Sequence, residues 1–198
     1  MSKRTDLYPT LSRISPVICF YITLFNCIIF PSYNSFYLFV SYNIILGSNW
    51  FIKHLIFKPI YEHLGKKSLP ILGIAKRPAN AISCGTYLDG ILSTTYGMPS
   101  GHSQLAWSIT TYVILKMIKK WYNSDKENKP ITILGYIWLI LSCILIVGIA
   151  VYISYSRVYI EGCHTIQQVI IGGIIGSIMG FLVFFFETPV IDLLSNIY

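Results

Sequence analysis

The sequence predicts an all-α fold, a multi-pass membrane bundle of five to six transmembrane helices, and three observations carry that prediction. Charged residues make up 12% of the 198 positions and hydrophobic ones 54%, where a soluble domain has about 25% charged. No charge occurs within residues 14–52, 130–156 or 162–186, and a bilayer core of roughly 30 Å needs about 20 such residues per helix. The polar residues that remain gather in three clusters instead of spreading over a solvated surface. A secreted miniprotein, a disordered tail and a soluble nucleic-acid binder are excluded.

The first span runs from about Ser15 to Phe30. Met1 to Arg13 has the charge of a leader, but no small-residue cleavage site follows the apolar run, so no cleaved signal peptide is expected. Pro31 to Ser35 supplies turn chemistry, and span two covers about Phe36 to Phe57. From Lys58 to Gly101 the chain carries scattered charges, six glycines and four prolines. Its apolar stretch Leu69 to Ala75 is too short to cross. Span three, Ser103 to Ile118, ends at Lys116 and Lys119, placed to snorkel. Lys119 to Pro130 reads as a polar loop, Ile131 to Ile153 as span four, and Ile166 to Phe186 as span five. The whole chain, 1–198, reads as one domain without repeats.

The net charge of +7 sits between apolar runs, where membrane topology and anionic headgroups use it. Membrane lipids are therefore the expected surroundings and nucleic acid is not a partner; the oligomeric state is open. The five cysteines form no CxxC pair, so neither a metal site nor a disulfide framework is expected, and no cofactor. Gly172, Gly176 and Gly180 leave one face of span five bare, which reads as a small-residue helix contact.

Polar groups near a bilayer are functional suspects. The clusters are Lys76-Arg77-Pro78, with Lys53 and Lys58 upstream; Tyr96 to Gln104; and Ser154 to His164, followed by Gln168. Two crossings separate the loop of the first two from that of the third, so all three emerge on one membrane face. Arginine offers a planar fork matched to phosphate oxygens. Ser100 and Gly101 stand at a helix N-terminus, a ready anion site. His102 and His164 can divide the work of nucleophile and general acid. Gln168, four residues after His164 on the same helical face, can hold its imidazole. Taken singly, Arg77 reads as a helix-end charge, Arg157 as an interfacial anchor, and each histidine as structural; His54 and His63 are read so.

At these residues the chain resembles the type 2 phosphatidic acid phosphatase superfamily of membrane lipid phosphatases. Arg77-Pro78, Pro99-Ser100-Gly101-His102, and Ser156-Arg157 with His164 match its three motifs in order and spacing. The strings Tyr96 to Gln104 and Ser154 to Tyr159 are similar to its dolichyldiphosphatase branch. The resemblance covers about residues 50–180. It implies metal-independent hydrolysis of a lipid phosphate. His164 would form a phosphohistidine, and His102 would protonate the leaving group and then activate water. Arg77, Ser100, Gly101, Arg157 and a lysine would bind the phosphoryl oxygens.

Two departures stand out. The family's lysine position, seven before the arginine, is Pro70; Lys53 resembles the dolichyldiphosphatase lysine, with Lys66, Lys67 and Lys76 as alternatives. Where many members place Asp four residues after the nucleophile, this chain has Gln168, as in the dolichyldiphosphatase branch, and Glu161 is the one carboxylate nearby. The leading expectation is hydrolysis of a polyisoprenyl diphosphate to the monophosphate. Alternatives are a phosphatidate or other lipid monophosphate phosphatase, and an inactive scaffold or lipid transporter. In a eukaryotic source the expected membrane is the endoplasmic reticulum. Orientation is divided. Seven basic residues outside the motifs share the site's face and five lie opposite, a weak cytoplasmic vote, while the resemblance implies a lumenal site.

Overall fold

The structure is a computed structural model that describes residues 7–65, 68–82, 84–85, 95–126 and 132–196. Helix α1 is Leu7–Ile29 and α2 is Tyr33–Phe51. Between them Ser32 caps α2, its hydroxyl accepting from the Ser35 amide at 3.1 Å. The second helix continues through a π-helical turn, Ile52–Phe57, into α3, Lys58–His63. A minimal antiparallel hairpin, β1 (Ser68–Leu69) with β2 (Gly73–Ile74), occupies the stretch too short to span. Three long elements follow: α4 (Gly101–Lys126), α5 (Ile133–Tyr155) and α6 (Ile166–Ser195), with a second π-helical turn, Ser156–Ile160, extending α5.

The bundle is all-α apart from that hairpin. Among the described residues three helices are long and apolar enough to cross a bilayer: Leu11–Ile29, Ile133–Ile160 and Ile166–Ser195. The second and third predicted spans lie on α2 and α4, whose polar side chains are turned inward. Ser35, Ser41, Ser103, Gln104, Ser108 and Thr110 are all buried, which lowers hydropathy without exposing polarity to lipid.

The core seam is α4 against α6. A Cβ at Gly172, Gly176 or Gly180 would lie 2.6 Å from the Ser100 carbonyl oxygen, 2.1 Å from that of Gln104 and 2.2 Å from that of Ser108. The bare glycine face is thus a helix–helix contact with the backbones nearly touching. Tyr42, Ile45 and Leu105 form an apolar cluster between α2 and α4, and Phe57, Tyr61, Ala75 and Met98 form another beneath the hairpin.

Several boundaries differ from expectation. Helix α4 continues into the predicted polar loop, to Lys126, and α6 runs to Ser195. Lys116 does not simply snorkel: its Nζ lies 2.8 Å from Oε1 of Glu187, itself buried on α6, and Lys119 donates to the Thr188 hydroxyl at 3.2 Å. The two helices are long enough to meet beyond the apolar zone, where opposite charges pair. The cysteine expectation also fails. Cys84 and Cys163 are joined by a disulfide, a pairing between residues 79 apart that no CxxC spacing could announce. Cys19, Cys27 and Cys143 are free.

Candidate active site

Gln168 is where the three clusters meet. It lies in the first turn of α6, wholly buried, and Thr165 caps that helix in a reciprocal capping box with it. Its side-chain Nε2 donates to the carbonyls of Ile74 and Lys76, both at 2.9 Å, which anchors the Arg77 segment to α6. Its own carbonyl accepts from the Ser100 amide at 3.0 Å, which anchors the start of α4. Residues 75–77 and 95–98 pair with each other besides, through Gly97 N to Ala75 O at 2.8 Å and a bridge between Lys76 and Tyr96.

The Gln168 side-chain oxygen lies 2.9 Å from Nδ1 of His164. An amide oxygen can only accept, so Nδ1 carries the proton and Nε2 keeps its lone pair. That nitrogen faces Nη1 of Arg77 at 2.9 Å. Arg77 is held by the Cys163 carbonyl, 3.1 Å from Nη1, and the Thr95 hydroxyl, 3.1 Å from Nε. Gly162, at φ +61°, makes the turn between the π-helical segment and His164, a backbone conformation that a β-carbon would strain. The amides of Cys163 and His164 then fold back onto the Arg157 carbonyl at 3.0 and 3.1 Å.

Positive charge dominates. His164 is buried, and desolvation together with Arg77, Arg157 and Lys53 holds its imidazole well below the usual 6.5, so it stands neutral. Burial and then Arg157 bring Arg77 down to about 10, leaving it charged at neutral pH. Among the candidate lysines that are described, Lys53 is the one whose charge reaches His164. Lys76 is exposed, and Lys66 and Lys67 lie outside the described residues. Lys53 and Arg157 each stand in a π-helical turn, the local widening often found where a helix serves a site.

Arg157 is fully buried and donates through Nη2 to the Cys84 carbonyl at 2.7 Å and through Nη1 to Glu161. It is no interfacial anchor, because nothing of it reaches the surface. Glu161 stands by Arg157 rather than His164. It also accepts from Arg13 Nε at 3.1 Å, Ser12 Oγ at 2.8 Å and Ser156 Oγ at 3.0 Å. Sequence reasoning missed Ser12 and Arg13 altogether; a basic residue before an apolar run is indistinguishable from a topological charge. It also missed Asn49, whose Nδ2 donates to Gln104 Oε1 at 2.8 Å and ties α2 to α4.

His102 follows Gly101, the first residue of α4. Its Nε2 lies 2.9 Å from the Arg13 carbonyl oxygen, so Nε2 carries a proton and Nδ1 is the nitrogen available for exchange. One expected donor is already engaged, since the Ser100 amide is bound to Gln168. The Ser100 hydroxyl, by contrast, is buried without a partner among the described residues, and so is Arg157 Nε. Buried donors left open beside a lone pair are what an incoming phosphate would satisfy. Among the described residues no three His, Cys, Asp or Glu side chains gather as a cation-binding group. His54 and His63 stand apart from the site; His54 bonds the Trp50 carbonyl at 2.9 Å and stacks on its ring.

Comparison with known proteins gives a consistent result. The model of the PAP2 superfamily matches residues 70–190. Dolichyldiphosphatase 1 of Homo sapiens is 30% identical over 145 residues, 73% of this chain and 49% of that protein. The protein of the same name from Rhinolophus ferrumequinum is 31% identical over the same shares. Dolichyldiphosphatase of Saccharomyces cerevisiae is 32% identical over 115 residues, 58% of this chain and 44% of its own. The chain spans about half the length of the curated relatives it matches. No solved structure matches.

Proposed function

The chain belongs to the PAP2 superfamily, and from that premise we propose that it is a membrane lipid phosphatase hydrolysing a polyisoprenyl diphosphate to the monophosphate. All of residues 1–198 serve as one domain, crossing the membrane five times. The observation that carries the reading is the state of His164: neutral, with Nδ1 bound to Gln168 and the Nε2 lone pair turned to Arg77.

In the proposed reaction Nε2 attacks the terminal phosphorus. The P–N bond forms as the P–O bond to the bridging oxygen breaks. Burial and then Arg157 bring the imidazole of His102 down to about 3, so it is neutral until the anionic headgroup binds. Charged on Nδ1 in that anion's field, it gives the proton to the departing oxygen of the lipid monophosphate. His102, now neutral, takes a proton from water, whose oxygen attacks the phosphohistidine and restores His164. Arg77, Arg157, Lys53, the Ser100 hydroxyl and the Gly101 amide bind the equatorial oxygens, where phosphoryl transfer needs charge neutralised. Gln168 orients the nucleophile. The names of the relatives support the diphosphate.

The test is phosphate release by the purified protein, with EDTA present, from a polyisoprenyl diphosphate, the matching monophosphate and phosphatidate. The diphosphate is expected to be the best substrate. Faster release from phosphatidate makes the protein a lipid monophosphate phosphatase instead, and no release from any of them supports an inactive scaffold or transporter.

A further inference from the structure

Resting on that reading, we propose a separate subsite for the departing half of the substrate, built where α1 meets α4 and α5. Arg13 binds the leaving phosphate, and the groove below His102 takes the first part of the lipid tail.

Two independent observations carry it. Arg13 is 6% exposed, yet its Nη1 is buried without a partner among the described residues. Its Nε is engaged by Glu161, on the oxygen that also accepts from Arg157, and its carbonyl holds His102. A guanidinium with a free buried donor therefore shares a carboxylate with Arg157, on the residue whose backbone carbonyl holds the acid. The second observation is a cavity of about 210 Å³ between the three helices. His102 lines one part of it, and Leu105 and Ile109 continue the same face of α4, with Cys19 opposite on α1 and Ile149 and Ile153 on α5.

Chemistry orders these parts. An acid must touch the oxygen it protonates, and that oxygen belongs to the half of the substrate bearing the tail. The tail therefore departs on the side of His102, and the apolar channel that His102 lines continues in that direction. A larger cleft of about 590 Å³ between α5 and α6, lined by Trp107, Val158, Ile166 and Ile170 among others, includes neither histidine nor either Arg13 or Arg157. Volumes near 210 Å³ fall below those of whole-ligand pockets, so the groove holds only the start of a long chain and the rest lies in lipid. Two cations share one carboxylate, Arg13 and Arg157 on Glu161, and Arg77 adds a third at His164, which suits a headgroup with more charge than one phosphate brings.

The probe is a farnesyl methylenediphosphonate carrying a diazirine in its first isoprene unit, photolysed with wild-type protein in detergent. Adducts are expected on Cys19, Leu105, Ile109, Ile149 or Ile153, and excess unlabelled analogue should suppress them. Adducts confined to the α5–α6 cleft, scattered over the lipid-facing surface, or not suppressed overturn the subsite. In the same assay the diphosphonate should compete better than the matching monophosphonate. Arg13→Gln should shrink that ratio tenfold or more, with partial recovery in Arg13→Lys; an unchanged ratio removes Arg13 from the subsite. Binding is read without turnover. Adducts in the groove from a protein that releases no phosphate would therefore refute the catalytic reading and leave the subsite standing.

Discussion

In the proposed reaction His164 and Arg157 are the residues on which the chemistry turns, and each admits a sharp test. Replacing His164 by Ala should abolish a trapped, acid-labile phosphoenzyme, and an intermediate that persists in this variant assigns the nucleophile elsewhere. The neutral imidazole also sets a pH dependence. The fold holds it well below 6.5 by burial and by Arg77, Arg157 and Lys53, so the nucleophilic form survives as pH falls past that value. Phosphoenzyme yield from an activated substrate at pH 5.5 should remain close to that at pH 7; a drop centred on 6.5 contradicts the assignment. Stability moves the opposite way. Below 6.5 the unfolded chain takes up a proton that folded His164 refuses, so this group's contribution to folding is lost as pH falls. Arg157→Lys should lower turnover tenfold or more, since a lysine has no counterpart to the open Nε and a charge-assisted hydrogen bond is worth about 1.5–3 kcal/mol. Near-normal turnover in a folded Arg157→Lys protein would contradict the phosphate-binding role. Arg77, His102, Arg157 and His164 were named from the sequence by residue type and motif spacing, and of these the structure puts Arg77 against His164. Arg13 and its ion pair with Glu161 were not, because pairing across 148 positions leaves no local pattern.

Helices reveal a different division between what pattern shows and what packing decides. The five predicted spans all correspond to helices, since charge-free runs of that length have no other stable form in lipid. Their ends were misjudged at α4 and α6, where Lys116, Lys119, Glu187 and Thr188 satisfy one another across the seam and let both helices run on. The glycine face was read correctly because small residues at four-residue spacing have one common use. Gly176→Ala should therefore destabilise the protein by about 1–3 kcal/mol, the usual cost of overpacking, because the atom met at 2.1 Å is backbone and cannot rotate away. Gly148→Ala on α5 meets nothing within 4 Å and should be neutral or stabilising by up to about 1 kcal/mol. Thermal midpoints in one detergent compare the two, and equal shifts would mean that the α4–α6 seam is looser than described. The π-helical turns had no sequence signal, since their residues are ordinary helix formers.

At the scale of the whole molecule, topology alone predicts the three clusters on one face, and the structure joins them through the single residue Gln168, by its side chain to two of them and by its backbone carbonyl to the third. Basic residues gave only a weak vote on orientation, and Arg13, counted among them as a topological charge, is buried and paired with Glu161.

The bond between Cys84 and Cys163 bears on that question from another direction. It fastens the residue preceding His164 to a loop on the same face, and such a link persists where the glutathione and thioredoxin of the cytosol do not reach. The site is therefore expected to open toward the oxidising side, the lumen of the secretory system or the cell exterior. A membrane-impermeant maleimide should label these two thiols only after reduction and only from that side; labelling from the cytosol would reverse the orientation. Charged headgroups do not pass a hydrocarbon core unaided. On the proposed function, a lipid diphosphate then has to be presented in the outer or lumenal leaflet, and the monophosphate is left in that same leaflet.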